Sequence, residues 1–190
     1  MVLQRAIDAQ RTLIAHSLTE IRLTQSVQNR ETFLVAGFIE EVAASARLEA
    51  NDRRIRLIVS CEDEGARLDA DRQVLASVVV NLLQNAFKFT KAATTVSLRV
   101  GANADRVLIE VQDECGGLPG GNVNDLFRPF EQRGADRTGV GLGLAFCRWA
   151  VEANDGRIYA RSLPDKGCVF TIDLPRLSVS SSTSSASVSA

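Results

Sequence analysis

The sequence predicts an α+β fold, and three observations carry that prediction. The apolar spacing switches from a helical period to strict alternation between Phe38–Ala50 and Ile55–Cys61. Two later pairs of alternating segments sit close together in the chain, as the strands of hairpins in a mostly antiparallel sheet do. A strongly apolar stretch from Arg72 to Phe89 has the length and spacing of a buried helix. Helices together with hairpins point to an α+β fold.

Taken in order, residues 1 to about 29 read as one long helix, with Leu3, Ile7, Ile14, Leu18 and Ile21 on one stripe. Val2, Leu13, Leu23 and Val27 form a second stripe on roughly the opposite side, so this helix needs partners on two faces, as in a multi-helix bundle. Phe38 to Ala50 is a second helix, and Ile55, Leu57, Val59 and Cys61 alternate as a strand. Asp71 is the expected N-cap of the helix Arg72–Phe89, whose buried side collects Val74, Leu75, Val78, Leu82, Leu83 and Ala86. Thr95–Val100 and Arg106–Gln112 form a hairpin around the turn residues 101–105. Eight of the thirteen glycines fall between Gly116 and Gly143, and this irregular stretch ends in a helix from Leu142 to Asn154 that Gly156 stops. Arg157–Arg161 and Cys168–Leu174 close the sheet as a last hairpin. Residues 178–190 are Ser, Ala, Val and Thr, too poor in bulky apolar groups to pack, and are expected to be disordered. The division is therefore 1–29, 30–177 and 178–190.

Composition narrows the partners. With 45% hydrophobic residues and 190 positions, the chain can bury one good core. The charged residues, 24% of the chain, nearly cancel to a net −1, so no global basic field draws it to nucleic acid or anionic lipid. Cys61, Cys115, Cys147 and Cys168 are scattered without a C-x-x-C pair, which fits reduced thiols in a cytoplasmic protein. Apolar runs such as Val78–Val80 are far too short to cross a bilayer, and no signal-peptide pattern opens the chain, so a soluble chain is expected.

Three constellations carry chemistry. On the apolar helix, Asn81, Asn85 and Lys88 recur at i, i+4 and i+7, lining one edge of an otherwise buried element. An amide oxygen at Asn85 can complete the shell of a Mg²⁺ that keeps several waters, and the Lys88 ammonium can meet a phosphate oxygen. A merely solvated helix edge would carry the same residues. Second, Val111-Gln-Asp-Glu-Cys-Gly-Gly-Leu-Pro119 runs from a strand end into a glycine loop. A buried Asp113 there can accept a hydrogen bond from an exocyclic amino group, which adenine offers at that edge and guanine does not, and Gly116 and Gly117 let the backbone lie close to a base. An ordinary Asp-Gly turn is the plainer alternative. Third, Gly139-Val-Gly141-Leu-Gly143-Leu144 lies just before a helix, where free N–H groups and the helix dipole favour an anion. It is neither a Walker loop nor the dinucleotide fingerprint, and a flexible hinge is the competing reading. Between the last two, Phe127 and Phe130 mark a mobile cover pinned by two aromatic anchors.

In order and spacing, these segments resemble the histidine-kinase branch of the ATPase superfamily that also includes gyrase, the mismatch-repair ATPases and the heat-shock chaperone of that type. Asn81 to Thr90 is similar to the family's N box, Asp113 to Gly117 to its G1 box, Phe127 to Phe130 to its F box and Gly139 to Gly143 to its G2 box. The closing Gly167–Pro175 matches too, and the resemblance runs from Phe33 to Pro175.

That resemblance implies a two-layer sandwich: a mixed, mostly antiparallel sheet covered on one face by helices, with a glycine-rich ATP lid, preceded by a long helix from a dimerisation bundle. It implies ATP and Mg²⁺ as cofactors. Asn85 would hold the metal, Lys88 a phosphate, and Asp113 the adenine amino group. Gly139, Gly141, Gly143 and Leu144 would serve the triphosphate, and Gly117, Phe127, Phe130 and Thr171 would complete the nucleotide site. Cys115 departs from the family, which usually has glycine there. ATP-hydrolysing relatives carry a glutamate base at the place of Asn81; an amide cannot take a proton from water, so Asn81 favours transfer to a protein side chain. The implied activity is that of a two-component sensor histidine kinase, with a response-regulator receiver domain as partner and a homodimer formed through the first helix. A docking or nucleotide-sensing module without transfer is the alternative. A serine kinase of the anti-sigma-factor type shares the pocket, but the bundle-like first helix counts against it.

His16, the one histidine, is not expected to be the phosphoacceptor. It is followed by Ser17 rather than an acidic residue, lies on the second apolar stripe, and stands 81 − 16 = 65 residues before Asn81, too few for a complete helical hairpin. Residues 1–29 are then the second helix of the bundle, with the acceptor histidine supplied elsewhere.

Overall fold

A computed structural model describes residues 29–118, 122–131 and 141–177. The helix expected over residues 1–29, with His16, falls outside these residues except for its last position, and residues 178–190 and Gly139 lie outside them too. The elements are β1 (Glu31–Leu34), α1 (Val35–Asp52), β2 (Arg56–Cys61), β3 (Arg67–Ala70), α2 (Arg72–Phe89), β4 (Thr95–Ala102), β5 (Arg106–Gln112), a 3₁₀ turn (Val123–Phe127), α3 (Gly143–Glu152), β6 (Arg157–Leu163) and β7 (Gly167–Pro175).

A five-stranded sheet has the order β2-β4-β5-β7-β6. Only the β2–β4 pairing is parallel; β4–β5, β5–β7 and β6–β7 are antiparallel. The sheet is therefore mixed and mostly antiparallel, and the α+β expectation holds. Alternation sets its two faces. Val96, Leu98 and Val100 of β4, Val107, Ile109 and Val111 of β5, and Phe170, Ile172 and Leu174 of β7 join the core cluster with residues of all three helices.

Each helix buries one stripe. In α1 it is Val35, Phe38, Ile39, Val42 and Ala43, at i, i+3, i+4, i+7 and i+8. Helix α2 begins where the Asp71 carboxylate accepts from Val74 N–H at 3.0 Å, the N-cap read from sequence. Its buried face adds Val79 and Phe87 to the six residues expected. The ends of α2 and α3 are tied together: Asn154 accepts from Asp71 N–H at 2.8 Å and donates to the Ala150 carbonyl at 2.8 Å.

Some boundaries move. Helix α1 begins three residues earlier than expected and runs two further, and Gly101 and Ala102, read as turn, belong to β4 opposite Leu108 and Val107. Strands β1 and β3, not anticipated, pair antiparallel as a separate ribbon.

Candidate nucleotide site

The site is built around Asp113, the residue after β5. It is 3% exposed and shares the helix-facing side of the sheet with Val111. Its Oδ1 accepts from the backbone N–H groups of Cys115 at 3.0 Å and Cys168 at 3.1 Å, and from the Cys168 thiol at 3.3 Å. Its Oδ2 meets the same thiol at 3.4 Å. One carboxylate oxygen is thus fixed by the backbone, and the other keeps acceptor capacity for a further donor.

Two contacts make the Asp113 loop rigid on its inner side. Gly167 lies so close beneath it that a Cβ would stand 1.9 Å from the Asp113 carbonyl oxygen. Glu114 N–H donates to Thr90 Oγ1 at 3.2 Å, linking the loop to the C-terminal cap of α2. Gly116 and Gly117 then turn the chain with φ of +90° and +108°, a conformation that favours glycine.

The polar edge of α2 faces the start of α3. Asn81 donates through Nδ2 to the Gly143 carbonyl at 3.3 Å, and Asn85 donates through Nδ2 to Asn81 Oδ1 at 3.4 Å. Because Asn85 uses its amino group there, its amide oxygen is oriented as an acceptor. A Cβ on Gly143 would stand 2.8 Å from Asn81 Oδ1, so glycine permits this approach. Lys88 Nζ stands 4.9 Å over the Phe89 ring, one turn beyond Asn85 on the same helix.

Within the glycine-rich stretch, Phe130 N–H donates to the Gly141 carbonyl at 2.9 Å. Residues 132–140, including Gly139, lie outside the described residues. Phe127 is a true anchor, edge-on to Phe170 at 6.3 Å with the Arg148 guanidinium 4.7 Å from its ring. Phe130 is not: it is 72% exposed, and its contact with Gly141 is made by its backbone. Leu144, in the first turn of α3, packs partly buried against the core.

Thr171 is not brought to this site. It pairs with Glu110 and Tyr159 across the sheet, and its hydroxyl donates to Glu110 Oε1 at 3.4 Å on the face away from the helices. Cys168, three residues earlier and on the opposite face, occupies the place beside Asp113. Strand parity could have found it, since Cys168 alternates in step with Phe170, Ile172 and Leu174.

Residues 70–178 match the family of histidine kinase-, DNA gyrase B- and HSP90-like ATPases, and the chain belongs to that family. Among relatives, the alginate biosynthesis sensor protein KinB of Pseudomonas aeruginosa is 37% identical over 123 residues, 65% of this chain and 21% of that protein. The circadian input-output histidine kinase CikA of Thermosynechococcus vestitus is 35% identical over 170 residues, 85% of this chain and 23% of that protein. The chain thus spans about a fifth of the length of these curated relatives. Among solved structures, the catalytic domain of the histidine kinase ThkA superposes with a TM-score of 0.70 at 24% identity, covering 77% of this chain and 95% of that one, and so shares the fold. Among the described residues, no helix is long and apolar enough to cross a membrane.

Proposed function

We propose that this chain is the ATP-binding catalytic region of a two-component sensor histidine kinase. It transfers the γ-phosphate of ATP to a histidine supplied elsewhere, for relay to an aspartate on a response-regulator receiver domain. The observation that carries this reading is the buried Asp113 carboxylate, held by two backbone N–H groups at the mouth of a glycine loop.

Asp113 accepts the adenine amino hydrogen, and the turns at Gly116 and Gly117 admit the base against bare backbone. The chain's own geometry fits a hard cation at Asn85, whose amide oxygen is left as acceptor by the Asn81 contact. Mg²⁺ bound there would neutralise charge on the phosphates. Lys88 adds a positive charge on the same helix edge, and the N–H groups at the start of α3, from Gly141 through Gly143 and Leu144, offer an anion site. Asn81 orients Asn85 and braces Gly143; as an amide it takes no proton, which favours transfer over hydrolysis. In the whole protein, pairing of two copies through the first helix would present the acceptor.

Isothermal titration of the chain with a non-hydrolysable ATP analogue and Mg²⁺ tests this reading. Binding is expected to be lost on Asp113→Ala, and Asn85→Ala is expected to bind without dependence on Mg²⁺. No binding by the unchanged chain would make the segments relics and leave a docking module as the function.

A further inference from the structure

We infer that Cys115 and Cys168 form a covalent modification site, a thiol pair that closes to a disulfide beneath the adenine-reading carboxylate and weakens nucleotide binding. Its regulatory consequence rests on the nucleotide-site reading given above; the bond itself does not.

The two Sγ atoms lie 2.7 Å apart, although the residues are 168 − 115 = 53 positions apart in sequence. Pairing of β5 with β7 brings them together: Asp113 N–H donates to the Cys168 carbonyl at 3.0 Å, and Gly116 N–H to the Lys166 carbonyl at 3.2 Å. The backbone thus holds both cysteines before any bond forms, so closure costs little conformational entropy. The other two thiols are placed differently. Cys147 is buried in α3 against the Val78 carbonyl, and Cys61 sits at the end of β2 against the Asp63 carbonyl.

A shared metal ion is a poorer account of the cluster Asp113, Cys115 and Cys168. Two thiolates on a tetrahedral zinc, with Zn–S bonds of about 2.3 Å, sit roughly 3.8 Å apart. The observed 2.7 Å is closer to a bond than to a bite.

The chemistry balances with a peroxide as oxidant. Cys115, the partly exposed thiol, gives up its proton and attacks one peroxide oxygen. The O–O bond breaks, leaving a sulfenic acid and water. The buried Cys168 sulfur attacks that sulfenic sulfur; S–S forms, S–O breaks and a second water leaves. Two thiols lose two protons and two electrons, and one peroxide takes them up to become two waters. Burial first, then hydrogen bonding with Asp113, pushes the Cys115 thiol up, so the pair is slow at neutral pH and quickens as pH rises.

Closure removes the Cys168 S–H that donates to both Asp113 oxygens, and ties the glycine loop to β7. The carboxylate that reads the base thus loses a donor that holds it in place.

The full chain is treated with hydrogen peroxide in the presence of a chelator, and its thiols are alkylated and mapped by mass spectrometry. Of four thiols, two are expected to remain free, with the Cys115 peptide joined to the Cys168 peptide and released by dithiothreitol. Titration with a non-hydrolysable ATP analogue is expected to show affinity at least tenfold weaker after oxidation and restored by reduction. Cys115→Ser is expected to bind equally before and after peroxide, which separates the disulfide from other oxidation. Four free thiols after peroxide, or a link through Cys61 or Cys147, would overturn the site. A Cys115–Cys168 link with unchanged affinity would overturn its regulatory role. A reduced chain that binds no nucleotide overturns the pocket reading and that role together, while the thiol map still decides the bond.

Discussion

Gly143 and Gly167 show how much a single missing Cβ can matter, and why the consequences differ. At Gly143 an added methyl meets the end of the Asn81 side chain at 2.8 Å, and an amide can swing away. Gly143→Ala should cost about 1 kcal/mol of stability, at the low end for overpacking. The same change should cut Mg²⁺-dependent nucleotide affinity by roughly tenfold, through the loss of about one hydrogen bond at Asn81. At Gly167 the obstacle is the Asp113 carbonyl oxygen at 1.9 Å, with the carbonyl carbon at 2.7 Å, and backbone cannot swing away. Gly167→Ala should therefore cost about 3 kcal/mol or more, read by chemical denaturation, since overpacking typically costs about 1–3 kcal/mol where the structure can relax. Reading residues one at a time singled out Asn81 and Asn85, which touch each other, and Asp113, whose neighbour on β7 is Cys168, whereas Thr171 lies on the other face. Both lie on β7, and a difference of three positions in a strand reverses the face. Strand parity puts Cys168 in step with Phe170, Ile172 and Leu174, but that it lies beside Asp113 follows only from the pairing of β7 with β5, which is not local in sequence.

At the scale of elements, legibility follows length and locality. Helix α2 was read to both ends because Asp71 caps it and eight buried residues keep its period. The β4–β5 and β6–β7 hairpins are local pairings with turn residues between them. Strands β1 and β3, four residues each, are too short to establish a period, and the pairing of Glu31 with Ala70 spans 39 positions. Two polar links hold the helical layer at the start of α2. Asp71→Ala removes the cap and should cost about 1 kcal/mol. Asn154→Ala leaves the Asp71 N–H and Ala150 carbonyl without their partner in a site that is 2% exposed, and should cost about 1–3 kcal/mol. Thermal melts of the two single variants and the double variant check both values. Since both contacts meet at Asp71, the double should lose less than the sum.

At the scale of the whole molecule, among the described residues, polar contacts join α2 both to the loop after β5 and to the start of α3. A ligand that binds only the folded chain should stabilise it by about 2.7 kcal/mol at a hundredfold excess over Kd, so a nucleotide-dependent rise in Tm of several degrees is expected. That rise should be absent in Asp113→Ala. The near-zero net charge leaves recognition to this local constellation, and the expected affinity should change little with salt apart from the phosphate contacts.

The central claim is that Asp113 reads the amino group of adenine, and the measurement that tests it most directly is a comparison of ATP-analogue and GTP-analogue affinities in the unchanged chain and in Asp113→Ala. A buried acceptor that finds a donor on one base and a carbonyl on the other should favour adenine by at least tenfold. The variant should bind both weakly and alike. Equal affinities in the unchanged chain, or an adenine preference that survives in Asp113→Ala, would contradict the account.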